Sequence, residues 1–97
     1  MADDLRPVTQ DAELTALLID NPLIYDTGAE QRFFPSGRTL YNFGEPSWGQ
    51  WRIEAGRYCS QWPPGDDWTC YDVAHDGYAA VQFTDDWGNV TIGTFAE

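Results

Sequence analysis

A chain of 97 residues has room for one domain, and here that domain is taken to span residues 1–97. Sixteen acidic residues face only five arginines, with no lysine, giving a formal net charge of −11 that repels phosphate backbones. Because Arg6, Arg32, Arg38, Arg52 and Arg57 are scattered and no apolar run approaches the roughly 20 residues of a membrane span, neither nucleic acid nor membrane is expected as a partner.

The N-terminus, Met1-Ala2-Asp3-Asp4-Leu5-Arg6, lacks the basic and apolar regions of a secretory leader. The default location is therefore the cytoplasm, with the periplasm as the alternative for a processed chain. Residues 1–22 hold the helical candidate. Thr9 is placed as its N-cap, with Asp11 and Glu13 near the positive end of the helix dipole. Leu14, Leu17 and Leu18 fall at helical spacing and form a stripe for burial. Asn21-Pro22 stops the helix, because proline pushes its predecessor out of the α region. One helix over about residues 10–20 is expected, packed against a sheet or plugging it.

From residue 23 to residue 95 the chain reads as a β-meander. Glycines recur at intervals that suit turns, and Pro35-Ser36-Gly37, Glu54-Ala55-Gly56, Asp76-Gly77 and Asp86-Trp87-Gly88 each suit a hairpin needing positive φ. The strands between them are expected over 23–26, 31–34, 39–43, 49–54, 57–62, 68–73, 78–84 and 89–95. Trp51/Ile53, Val81/Phe83 and Val90/Ile92 alternate with polar residues, as on half-buried strands. With no helical crossover between strands, pairing is antiparallel and sequential. The fold class is mainly β: an antiparallel meander or small up-and-down barrel of about 7–8 short strands with one N-terminal helix. Such a barrel is filled by side chains or holds one small ligand.

The order of motifs resembles a family. A short helix leads into Phe33-Phe34-Pro35-Ser36-Gly37-Arg38-Thr39-Leu40-Tyr41, then Trp48-Gly49-Gln50-Trp51-Arg52-Ile53, Tyr58-Cys59 and Trp68-Thr69-Cys70-Tyr71. This succession resembles small, uncharacterised bacterial lipocalin-like domains of the calycin type. In these a Gly-Thr turn, a Gly-x-Trp strand and two cysteines on neighbouring strands recur. The resemblance implies a meander barrel or half-barrel and brings no assigned activity.

Cys59 and Cys70 flank Trp62-Pro63-Pro64-Gly65-Asp66-Asp67-Trp68. A hairpin centred between Pro64 and Gly65 sets them opposite each other, within the reach of a disulfide; a register shifted by one residue puts them on opposite faces. In a reducing compartment the same residues are two small buried hydrophobes. The single histidine, His75, could serve Ser36, Ser47 or Ser60 in a hydrolase, but none of these serines sits in a Gly-x-Ser-x-Gly elbow. Cys59, Cys70 and His75 lack metal-ligand spacing, and Asp66-Asp67 and Asp85-Asp86 read as turn carboxylates outside any calcium-loop frame. Neither catalytic residues nor a metal nor a cofactor is assigned.

The aromatic residues carry the functional expectation. Trp51, Tyr58, Trp62, Trp68 and Tyr71 cluster in sequence and are the candidate ligand-binding residues, with Trp62 and Trp68 expected to pair across their hairpin. The expected function is non-enzymatic binding of a small apolar or ring-bearing ligand. The alternative is an acidic protein-interaction module, an inhibitor or regulator of a basic protein partner, and the remote alternative is a small hydrolase. A monomer is expected.

Overall fold

The computed structural model describes residues 5–96; Met1–Asp4 and Glu97, included in the expected domain span, lie outside the described residues. The elements run β1 (Arg6–Val8), α1 (Asp11–Leu18), β2 (Leu23–Tyr25), β3 (Glu30–Phe33), β4 (Arg38–Asn42), β5 (Pro46–Glu54), β6 (Arg57–Gln61), β7 (Thr69–His75), β8 (Ala80–Thr84) and β9 (Val90–Phe95). Strands β2 to β9 pair antiparallel in sequence order, and β9 returns to β2, so eight strands close into a barrel with no free edge. Each of the eight expected strands is present, within about three residues of its expected bounds.

Strand β1 was not expected. Arg6, Pro7 and Val8 pair with His75, Ala74 and Val73, on the edge of β7 that β6 leaves once it has paired with Thr69–Tyr71. Pro7 hides this strand in the sequence, since proline is tolerated only where a ladder N–H is dispensable.

Helix α1 is shorter than expected and starts differently. Its N-cap is Gln10, without a side-chain cap, in place of Thr9. The Asp11 carboxylate instead accepts a hydrogen bond from the Gly56 N–H at 2.8 Å, tying the first helical turn to the β5–β6 hairpin. That hairpin turns on Ala55 and Gly56, both with positive φ (52° and 76°), as a tight two-residue connection requires. Leu14 and Leu18 are fully buried and Leu17 is half-buried, so the leucine stripe faces the barrel as the spacing implied.

The helix seals one end of the barrel. Leu14 and Leu18 meet Leu23, Phe33, Trp51, Val73 and Val81 in one core cluster. Alternate turns of an up-and-down barrel fall at opposite ends, which places the connections at 26–29, 43–45, 62–68 and 85–89 at the end away from α1.

Two of the recurring glycines do other work than turning the chain. Gly49 and Gly93 lie inside β5 and β9, where aromatic rings press on the backbone. A Cβ on Gly49 would stand 2.6 Å from Cε3 of Trp62, and one on Gly93 would stand 3.1 Å from the Tyr25 ring. The second contact corrects the phase of β9. Gly93 and Phe95 face inward, whereas Val90 and Ile92, expected to be buried, are 54% and 45% exposed. Apolar alternation alone misassigned this strand because its inward position had to be small enough to receive a tyrosine.

Candidate functional site

The end of the barrel opposite α1 opens into a cavity of about 810 Å³. Seven rings line it: Tyr25, Tyr41, Tyr58, Trp62, Tyr71 and Phe83, with the 44%-exposed Trp48 as the seventh. Strand alternation delivers the first six. Tyr58 and Ser60 point inward from β6, Tyr71 stands opposite Tyr58 on β7, and Phe83 arrives from β8. The Tyr58 and Tyr71 centroids are 5.7 Å apart, and Tyr58 and Phe83 5.2 Å apart. On the facing wall Tyr25 and Tyr41 stack at 6.0 Å, and Tyr41 meets Trp62 edge-on at 6.2 Å. Phe33 forms the partition from the sealed end, edge-on to both Tyr58 and Trp51 at 5.6 Å.

A neutral hydrogen-bonded network underlies these rings. The buried Gln31 amide donates to Oγ1 of Thr39 at 3.0 Å and to the Tyr58 oxygen at 3.2 Å, while the Tyr25 hydroxyl donates to Oε1 of Gln31. Thr39 in turn donates to the Arg32 carbonyl at 2.8 Å, and Nε1 of Trp62 donates to the Ser60 hydroxyl at 3.3 Å. Among the described residues no buried side-chain polar atom lacks a partner. Such a network fixes the positions of the rings bonded to it with neutral groups alone.

Burial pushes the Tyr25 hydroxyl far up, with smaller contributions from the neighbouring tyrosines. Burial also raises Tyr58 well above the usual phenol range, against the lowering effect of hydrogen bonds from Ser60 and Gln31. Tyr71 is raised first by desolvation and then by the negative charge of Asp85. The phenols therefore remain neutral near pH 7. Among the described residues, Asp26 is the only charged one lining the cavity.

The five residues expected to form the site separate. Tyr58, Trp62 and Tyr71 line the cavity. Trp51 lies at the sealed end, where its Nε1 donates to the Phe34 carbonyl at 2.9 Å. Trp68 lies on the outer surface, 4.1 Å from the Arg52 guanidinium. The expected Trp62–Trp68 pair does not form. The β6–β7 register that sets Cys59 opposite Cys70 sets Trp62 opposite Asp67 if extended, so the two indoles leave on different faces. That same register brings the cysteines together, with Cα atoms 4.0 Å apart and a disulfide between them. Tyr25, Gln31, Tyr41 and Phe83 were missed as site residues. Their signal was present as alternation with Leu23, Phe33, Thr39 and Val81, but each sits outside the tryptophan-dense segment.

His75 belongs to the sealed end. Its Nδ1 lies 2.9 Å from the Ala80 carbonyl oxygen, and its ring meets Phe95 edge-on. Ser60 pairs with Thr69, six residues before His75 on β7, about 20 Å of strand away. Among the described residues no three His, Cys, Asp or Glu side chains converge as a metal site, and the disulfide removes both thiolates from that role. A shallower depression of about 590 Å³ lies between α1 and β5. Its polar side chains are already engaged, Asp11 with the Gly56 N–H and Arg52 with Glu54. No helix of the described residues is long and apolar enough to cross a membrane.

No protein-family model matches the chain, and comparisons with curated proteins and with solved structures found no match.

Proposed function

We propose that the chain is a lipocalin-like, non-enzymatic binding domain that takes a small apolar or ring-bearing ligand into the open end of its barrel. The observation that carries this reading is the cavity itself. Its volume of about 810 Å³ falls within the range of small-molecule sites, and seven aromatic rings line it over a floor whose buried polar atoms already have partners. Rings held by hydrogen bonds offer flat apolar surface at little entropic cost on binding. The Cys59–Cys70 disulfide supports an oxidising compartment, the processed-chain alternative, over the cytoplasm.

The test is titration with a neutral, ring-bearing fluorophore such as N-phenyl-1-naphthylamine, reading quenching of tryptophan emission and enhancement of the dye. Saturable one-site binding is expected, and Gly49→Ala should weaken it on the order of tenfold, because the new methyl would meet both the Trp62 ring at 2.6 Å and the Gln61 carbonyl at 2.7 Å and so shift that wall. Absence of saturable binding, or binding indifferent to Gly49→Ala and to Trp62→Ala alike, would remove the reading.

One observation favours the protein-interaction alternative. Phe43 and Trp87 stand 62% and 77% exposed beside acidic loops at the open end. Aromatic anchors ringed by carboxylates suit a basic protein surface. That version requires association with a cationic protein that weakens steeply as salt rises, measured by light scattering. Its rate should fall on Trp87→Ala without change in dye binding.

A further inference from the structure

Building on the binding reading above, we infer that the cavity selects a ligand carrying a positive charge on a ring or alkyl body, an organic amine or quaternary ammonium, over neutral and anionic ligands of the same shape.

Three observations point the same way. The first is what lines the site. Tyrosine and tryptophan faces are electron-rich, and a cation within about 6 Å of such a ring is attracted to it. Tyr25, Tyr41, Trp62 and Tyr71 surround the space from different walls, and no arginine or histidine lines it. Two rings are already taken by the chain's own cations: Arg38 lies 4.3 Å over Trp48, a 44%-exposed ring that also borders the cavity, and Arg52 lies 4.1 Å over Trp68 on the outer surface. The other six lining rings have no such partner among the described residues.

The second is the sign of the field at the mouth. The loops at 26–29, 43–45, 62–68 and 85–89 carry Asp26, Glu45, Asp66, Asp67, Asp85 and Asp86 and not one basic residue. Arg57, on the outer face, bonds Asp86 at 2.8 Å and Asp72 at 3.0 Å, which accounts for Asp86. The other five loop acids make no salt bridge among the described residues. Asp26 is the one carboxylate on the cavity wall among the described residues. The negative potential extends inside, since Asp85 contributes to raising the Tyr71 hydroxyl. A rim of one sign over low-dielectric walls concentrates ligands of the opposite sign.

The third is what the floor lacks. Gln31 is spent on Thr39, Tyr25 and Tyr58, Thr39 donates to the Arg32 carbonyl, and the Ser60 hydroxyl accepts from Trp62. A carboxylate or phosphate entering here would lose its water and find no cation on the cavity wall among the described residues, only neutral hydroxyl and amide groups. A quaternary ammonium asks for no hydrogen bond and loses little.

The experiment uses three probes of one shape: benzyltrimethylammonium, its neutral carbon isostere neopentylbenzene, and phenylmethanesulfonate. Tryptophan quenching and calorimetry are read on the intact, disulfide-bonded chain. The cation should bind about tenfold tighter than the isostere, and the sulfonate at least about tenfold weaker than it. Asp26→Asn should reduce affinity for the cation and leave the isostere unchanged. High salt should narrow the cation's lead without abolishing it, because screening weakens the rim more than ring contacts inside the cavity. An isostere that binds as well as the cation, or a sulfonate that binds best, overturns the inference and leaves the binding reading standing. So does saturable binding of the neutral fluorophore with all three probes silent. Failure of the fluorophore and all three probes together removes the binding reading, and this inference with it.

Discussion

At the sealed end of the barrel, Leu14, Leu18, Leu23, Phe33 and Val81 are all but inaccessible to water and carry no side-chain polar atom. At the open end, the same strands present Tyr25, Gln31, Tyr41, Tyr58 and Ser60, and the rings there surround a cavity instead of filling it. What separates the two is α1. Eight strands bring inward residues to both ends alike, but only one end receives a helix to close it. Aromatic content is therefore a poor guide to the core of this fold. The four tryptophans between residues 48 and 68 divide among the outer surface (Trp68), the sealed end (Trp51) and the mouth (Trp48 and Trp62).

The sharpest way to break this comparison is to truncate one ring at each end. Phe33→Ala empties a packed, 1%-exposed position and should cost about 3–5 kcal/mol in urea unfolding. Trp62→Ala removes a larger ring but vacates a wall already facing open space, so its cost should stay below about 2 kcal/mol. The functional effects should invert: Trp62→Ala loses fluorophore binding, and Phe33→Ala retains it if folded. Equal stability losses would mean that the open end is as tightly packed as the sealed one.

The sequence made local features legible and left non-local ones hidden. The turns were readable because Gly37, Gly56, Gly77 and Gly88 each meet a demand for positive φ that the adjoining residues cannot easily meet. The cysteine pairing was readable too, since residues 59 and 70 are equidistant from the Pro64–Gly65 bond. The site was only partly readable. Tyr58, Trp62 and Tyr71 lie in one hairpin, whereas Tyr25 and Tyr41 reach the cavity through barrel closure between β2 and β9. Closure depends on strand count and tilt, which no short window encodes. The orientation of β9 was obscured for a related reason: Gly93 is small because of Tyr25, a residue nearly seventy positions earlier in the chain.

A second prediction concerns the hairpin that carries Trp62. The disulfide joins β6 to β7 across a separation of 11 residues, immediately before the loop that forms part of the rim. Closing a loop of that size in the unfolded chain is worth about 3 kcal/mol in the entropic account. Cys59→Ala with Cys70→Ala should lower stability by about that amount. Hydrogen exchange should rise first at residues 62–68 and remain slow at Val73 and Val81, which the sealed end holds. A midpoint unchanged by reduction would show that the bond contributes nothing to this end.

The smallest expected effect compares two turn carboxylates, one at each end. Asp76 accepts hydrogen bonds from the Tyr78, Ala79 and Ala80 N–H groups beside the sealed end. Asp85 accepts from the Trp87 and Asn89 N–H groups and the Asn89 amide at the mouth. In both, desolvation raises the carboxyl, but the accumulated hydrogen bonds outweigh it and hold the group below its ordinary value. A folded value below the unfolded one means that the stabilisation is present above the ordinary carboxylate range and is lost as pH falls through the depressed value. Asp76→Asn and Asp85→Asn should each make the acid-side loss of stability shallower than in the unsubstituted chain. Only Asp85 also acts on the cavity. Its charge adds to desolvation in raising Tyr71, so Asp85→Asn should let that phenol ionise at lower pH, and Asp76→Asn should not. Ultraviolet titration, with Tyr71→Phe to assign the signal, reads the difference. If both variants leave Tyr71 unmoved, the negative rim does not reach the ring-lined space, and the two ends would differ in packing alone.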